Sequence, residues 1–220
     1  MKFSEIPLFR GIGQRELEPL LDCLHARTRA YQKGETILPA GRATEYVGVV
    51  LAGRAVISFD DAWGNTSILG DIAPGAAFAE AYACMPGQPL LVSVLAAEDT
   101  SVLFLNVGRM MASCTDAGPF HARLTRNLLS VCAEKNLRLS RKIQHTSSKT
   151  IRGRLMSYFS ECARGHGRDS FRIPYNRQQL ADYLGVDRSA LCGELSKMRR
   201  DGLIAYDGNL ISLRGRKAET

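Results

Sequence analysis

The groups most able to do chemistry in this 220-residue chain are basic side chains near its C-terminal end. In the stretch VDRSALCGELSKMRR, residues 186–200, Leu191, Leu195 and Met198 fall four and three apart. On a helix that spacing collects them on one inward face. Arg188, Ser189, Cys192, Gly193 and Ser196 then face outward. An arginine in the first turn of such a face can donate two parallel hydrogen bonds to the O6 and N7 edge of a guanine. Arg177, Gln178, Lys197, Arg199 and Arg200 surround it and suit phosphate oxygens, which hold a duplex without reading it. Gly193 leaves a gap where a base reader wants a long polar side chain.

The elements that position these groups follow from local signals. Asn176 is placed to cap a first helix, and Gln179 three residues on completes a capping box. Leu180, Tyr183 and Leu184 supply its inner face, and small Ala181 lets a second helix cross closely. Gly185 permits a left-handed turn, and Asp187 caps the second helix. LIAYDGNLISL, residues 203–213, reads as a hairpin with Asp207–Gly208 at its turn. Upstream, SSKTIRGRLMSYFSECAR is an amphipathic helix capped by Ser147 or Ser148, with Ile151, Leu155, Tyr158, Phe159 and Cys162 inward. Lys149, Arg152 and Arg154 on it are further candidates for phosphate. This order predicts a winged helix-turn-helix whose second helix enters the major groove of double-stranded DNA. An ordinary helical hairpin explains the helices but not the wing.

Other chemistries lack their residues. The six cysteines, Cys23, Cys84, Cys114, Cys132, Cys162 and Cys192, are nowhere closer than 18 residues, so no zinc or iron–sulfur spacing exists. Free thiols in a reducing cytoplasm are the expectation. Residues 31–106 hold no histidine, which removes the ligands a metal-dependent β-barrel enzyme needs. No apolar run is long enough to span a membrane, and MKFSEIPLFRG has no apolar signal core, so export is not expected. The net charge of +7 is uneven: residues 146–220 carry 14 Lys/Arg against 8 Asp/Glu, while residues 1–145 carry 15 against 14. A basic rear half suits a polyanion.

The front half has a different texture. GQRELEPLLDCLHARTRA places Leu17, Leu20, Leu21 and Leu24 at helical spacing. From Tyr31 to Asn106 short β-rich runs follow, with turns at Gly53–Arg54, Gly64–Asn65 and Glu98–Asp99. They predict a small antiparallel barrel or roll. From Val107 to His145 the chain is helical. Phe120, Leu124, Leu128 and Val131, then Leu139 and Ile143, form a stripe interrupted by Lys135. Such a stripe packs either on its own barrel or along a second copy. A helix this long projects beyond a small barrel, so a homodimer seam through Phe120, Leu124, Leu128, Val131 and Lys135 is the expectation. The expected fold class is α+β. Residues 1–106 form an N-terminal double-stranded β-roll of jelly-roll type with leading helices, 107–145 a dimerisation helix, and 146–220 the winged helix-turn-helix.

Nearly the whole chain resembles the cyclic-AMP receptor protein/FNR (Crp/Fnr) superfamily of bacterial transcription regulators. KGETILPAG, YVGVVLAGRAVI and LGDIAPGAAFAEA resemble successive turns of its effector-binding, cyclic-nucleotide-binding-like roll. NRQQLADYLGVDRSALCGELSKMRRDGLI resembles its winged helix-turn-helix, the more specific match. The resemblance implies a homodimer that binds a two-fold symmetric promoter site, contacts RNA polymerase and answers to a small-molecule effector.

Two departures qualify it. Members that bind cyclic AMP carry an Arg-Ser pair that falls here on Leu90–Leu91, although Glu80 remains where the family's glutamate meets the ribose. Without that cation a buried phosphate loses its charge-assisted hydrogen bonds, so cyclic AMP is not expected. Only Cys23 lies near the N-terminus, so the oxygen-sensing branch's iron–sulfur cluster is not expected either. The apolar turn around Phe78, Glu80, Tyr82, Leu90 and Leu91 is the candidate effector pocket. It suggests a hydrophobic effector, or haem with Cys84 or Met85 as soft ligands; the competing readings are core packing and a thiol switch at Cys84. Relatives often carry Ser-Arg where this chain has Cys192–Gly193. Either Arg188 carries the base readout, or the operator differs, or the protein binds an effector or partner with weakened DNA binding.

Overall fold

A computed structural model describes residues 3–61, 63, 65–111 and 118–214. The chain forms two compact units, Met1–Glu134 and Lys135–Thr220, which divide within one long helix. The first opens with two 3-10 turns and helix α1 (Gln14–Cys23). Eight strands follow: β1 (Arg27–Tyr31), β2 (Thr36–Leu38), β3 (Tyr46–Ala52), β4 (Ala55–Asp60), β5 (Thr66–Ile72), β6 (Ala77–Phe78), β7 (Ser93–Ala96) and β8 (Thr100–Asn106). Short helix α2 (Glu80–Ala83) follows β6, and α3 (Val107–Met111) and α4 (Gly118–Thr146) follow β8.

The strands form two four-stranded antiparallel sheets, ordered β1-β8-β3-β6 and β2-β7-β4-β5. Consecutive strands repeatedly change sheet, the pattern of a roll. Side-chain alternation on β3 and β8 explains its layers. Val50 and Val102 point between the sheets, where they join Tyr31, Ile37, Ala55, Ile72, Phe78, Val94 and Ala96. Val47, Val49, Leu103 and Leu105 point to the opposite face, against Phe9, Leu20, Leu24, Met110, Leu124 and Leu128. Both strands are covered on two faces, so both read as nearly unbroken apolar runs.

The expected turn at Gly53 is present, with φ +77°. Gly64 lies outside the described residues, as do residues 112–117 of the region expected to be one helix. The stripe on α4 corrects the expected seam. Leu124 and Leu128 are enclosed in the core of their own unit, Val131 packs against it, and Phe120 and Lys135 are half-buried. Helical spacing marks an apolar face without saying what covers it, and here the roll covers most of that face. The outward apolar residues are Leu129, Leu137, Leu139 and Ile143.

In the second unit the end of α4 is followed by α5 (Ile151–His166), β9 (Ser170–Arg172), α6 (Arg177–Leu184), α7 (Arg188–Arg200), β10 (Ile204–Asp207) and β11 (Leu210–Leu213). The three strands pair in the order β10-β11-β9. One core gathers Leu155, Phe159, Phe171, Leu180, Leu184, Leu191, Leu195, Met198, Ile204 and Ile211. Thr150, not Ser147 or Ser148, caps α5 by accepting from the Gly153 amide. The wing's turn is Gly208–Asn209, one residue later than expected, because Asp207 still pairs with Leu210. Gly208 takes the positive φ that the first turn position requires.

Gly48 is a position where only glycine fits without movement. It pairs with Phe78 across β3 and β6, and a Cβ there would stand 2.2 Å from the Phe78 ring. Gly48→Ala is therefore expected to cost about 1–3 kcal/mol by overpacking. Gly70, where a Cβ would meet nothing, is the control. Denaturant unfolding of both variants checks this; equal stability of Gly48→Ala and wild type would contradict it.

Candidate nucleic-acid interface

The helix pair is built by caps and one turn. Asn176 accepts from the Gln179 amide at 2.9 Å, and the Gln179 side chain accepts from the Asn176 amide at 2.9 Å. Gly185 ends α6 at φ +64°, a left-handed position that a side chain would strain. The Arg154 guanidinium then donates to the carbonyls of Leu184 and Gly185 at 2.8 and 3.1 Å. Asp187 caps α7 by accepting from the Ala190 amide at 2.9 Å. The Ser189 hydroxyl and that amide hold the Asp187 carboxyl below the usual carboxylate range.

Leu191, Leu195 and Met198 are buried, which fixes the rotation of α7 about its axis. Arg188, Ser189, Gly193, Lys197, Arg199 and Arg200 are exposed, and Cys192 and Ser196 are half-buried. The face expected to read DNA is open, with its hydroxyls partly committed. Ser189 donates to Asp187 at 2.5 Å, and Ser196 donates to the Cys192 carbonyl at 3.0 Å. A Cβ on Gly193 would meet no atom within 4 Å, so the fold itself does not ask for glycine there.

The surrounding cations divide into two groups. Arg152 pairs with Glu194 at 2.6 Å and with Asp201 at 2.8 Å, tying α5 to both ends of the reader's rear half. Arg152 and Arg154 are thus spent on internal bonds, which corrects their expected role as phosphate contacts. Gln178 donates to Asp182 at 2.8 Å. Arg177 donates to the Gly208 carbonyl and lies over the Tyr206 ring, and Arg199 lies over the same ring. Sequence spacing had no means of finding the partners of Arg152 and Arg154 or the Gly208 carbonyl that Arg177 meets, because they sit 30 or more residues away in another element.

His145, in the last turn of α4, is a further residue the sequence reading missed. It is buried, with Nδ1 2.8 Å from the Tyr183 hydroxyl of α6. Nε2 lies 2.6 Å from the Glu161 carboxylate of α5, off the line of a well-formed hydrogen bond. Tyr158 meets the ring edge-on at 5.3 Å. One imidazole thus ties the end of the long helix to both α5 and the first helix of the pair.

Of the candidate effector residues, Tyr82 and Leu91 meet, the Leu91 amide donating to the Tyr82 hydroxyl at 3.4 Å. Phe78 is in the core between the sheets, edge-on to Phe104. Glu80 is buried, Tyr82 is half-buried, and Leu90 is 3% exposed while Leu91 is 70% exposed. Phe78 and Leu91 therefore do not share one pocket wall. Cys84 and Met85 stand exposed on the turn after α2. Partial burial and the Glu80 carboxylate push the Cys84 thiol up, away from the thiolate form. These residues do not fit an enclosed haem, and no group of three or more His, Cys, Asp or Glu side chains able to hold a metal occurs among the described residues. No described helix is long and apolar enough to cross a membrane.

Comparison with known proteins agrees with this division. Residues 28–115 match the cyclic nucleotide-binding domain, and residues 153–218 match the Crp-like helix-turn-helix domain. The transcriptional activator protein FnrL of Cereibacter sphaeroides is 26% identical over 193 residues, 82% of this chain and 73% of that protein. Two solved structures share the fold. The c-di-GMP-responsive global regulator CLP of Xanthomonas campestris has a TM-score of 0.55 at 17% identity, covering 93% of this chain and 100% of that one. The catabolite activator protein of Thermus thermophilus has a TM-score of 0.50 at 20% identity, covering 94% and 93%. A roll of the cyclic nucleotide-binding type and a Crp-like reader, joined in one chain by α4, place this protein in the Crp/Fnr superfamily of DNA-binding transcription regulators.

Proposed function

We propose that this chain works in the cytoplasm as a homodimer that reads a two-fold symmetric promoter site through α7, contacts RNA polymerase, and answers to an effector other than cyclic AMP. The observation that carries this reading is the orientation of α7. Its apolar stripe is buried in its own unit, Arg188 is left exposed in the first turn, and Gly193 is open on the far side from the stripe. Arg188 is the base reader in this account, with Ser189, Cys192 and Gly193 forming a shallow surface behind it. Lys197 and Arg200 are the exposed cations that meet phosphate. The roll senses, α4 joins, and the winged helix-turn-helix reads.

Against cyclic AMP stand Leu90 and Leu91, apolar at the positions where the resemblance expects a phosphate-binding Arg-Ser pair. For the dimer stands the outer face of α4. Leu129, Asn136 and Ile143 are seven apart and exposed, with Leu139 between them. This spacing is that of a coiled-coil seam, and an asparagine at such a position sets register and strand number. A second copy of the same helix is the occupant it fits. The alternative, a partner-binding protein with weakened DNA binding, rests on Gly193.

Three outcomes test the proposal. Arg188→Ala is expected to cost about 1–3 kcal/mol on the selected site and relax base preference, whereas Lys197→Ala weakens all duplexes alike. Equal losses for Arg188→Ala on specific and random DNA, measured by fluorescence anisotropy, would sink the assignment. Gly193→Ala is expected to stabilise the fold by up to about 1 kcal/mol while lowering specific affinity, because a methyl group intrudes where the duplex approaches. Leu139→Glu is expected to convert the dimer to monomer in sedimentation equilibrium; an unchanged mass would place the seam elsewhere.

A further inference from the structure

Arg177, at the start of α6, and Arg199, near the end of α7, converge on one aromatic ring in the wing. Their guanidinium carbons stand 5.1 and 5.0 Å from the centroid of Tyr206. The Arg177 Nη2 also donates to the Gly208 carbonyl at the wing's turn, at 2.7 Å. Neither arginine meets a carboxylate among the described residues, whereas the nearby Arg152 takes two. Two like charges gathered on one ring repel each other, and the ring's negative face offsets only part of that repulsion. Such an arrangement gains most from an external anion, which meets donors already oriented.

Resting on the DNA-binding reading above, we propose that Tyr206 is a positioning residue that holds Arg177 and Arg199 as a two-guanidinium clamp for the DNA backbone phosphate. The clamp gives the wing a sequence-independent part in docking. Tyr206 joins three elements, the start of α6, the end of α7 and the β10–β11 turn, so the wing sets the geometry in which both arginines meet the duplex. Phosphate contact of this kind is independent of sequence, and it appears in the salt dependence of binding. The ring's π face is what the clamp uses; no hydrogen bond to the Tyr206 hydroxyl occurs among the described residues.

The test is binding of the full-length protein to a selected site and to a random duplex of equal length, by anisotropy over a salt series. Tyr206→Ala is expected to weaken both about five- to thirtyfold, the size of two exposed cation–π contacts. It is also expected to flatten the log affinity against log salt slope by about one per lost phosphate contact. Tyr206→Phe keeps wild-type binding. Tyr206→Leu, which keeps apolar bulk without the ring, behaves as alanine does and decides the matter if the alanine variant fails to fold. In an Arg177→Ala/Arg199→Ala background, removal of Tyr206 has no further effect. An unchanged slope in Tyr206→Ala or Tyr206→Leu, equal loss in Tyr206→Phe, or full additivity with the arginine pair overturns the clamp. A wild-type protein that binds neither duplex overturns the DNA-binding reading itself, and the clamp with it.

Discussion

Burial of Leu191, Leu195 and Met198 is the constraint on which the rest of the DNA-binding unit depends. A helix has one rotational degree of freedom about its axis, and three large apolar side chains on one stripe remove it. Every other property of the reader follows from that removal. Gly193 is open because it lies across the helix from Leu191 and Leu195, while Arg188 is exposed as the first residue of α7. Glu194 is brought within 2.6 Å of Arg152, so the one acidic side chain of α7 is paired locally.

The roll and the long helix obey a related rule. Strands β3 and β8 are covered on both faces, and the helices cover the outer one. That second layer consumes Leu124 and Leu128 of α4 and leaves Leu129, Leu139 and Ile143 outward. His145 then fastens the last turn of the same helix to α5 and α6 through Glu161 and Tyr183. Within the second unit, one imidazole therefore fixes the last turn of α4 against both α5 and α6.

Features specified by neighbours in the chain were legible in the sequence. The Asn176 capping box, the left-handed Gly185, the Asp187 cap and the inward stripe of α7 each depend on residues within a turn or two. The sheet strands were legible for the same reason, through their alternation and their turn residues. What the sequence did not disclose were partners across elements. Arg152, Arg154, Arg177 and Arg199 all look alike as basic residues, yet the first two are bound inside and the last two converge on Tyr206. The α4 stripe failed similarly, since its period identifies an apolar face and cannot say whether the cover is the chain itself or a copy. The effector residues were gathered by proximity in sequence, whereas the loop before β7 turns Leu90 inward and Leu91 outward.

The central claim is that two copies of α7 read DNA together across a two-fold axis. Selection of binding sites from randomised duplexes by the full-length protein tests it most directly. The account predicts an inverted repeat whose half-sites are centred about one helical turn, roughly 10 base pairs, apart. Recovery of a single asymmetric half-site, or of no enriched sequence at all, would contradict it.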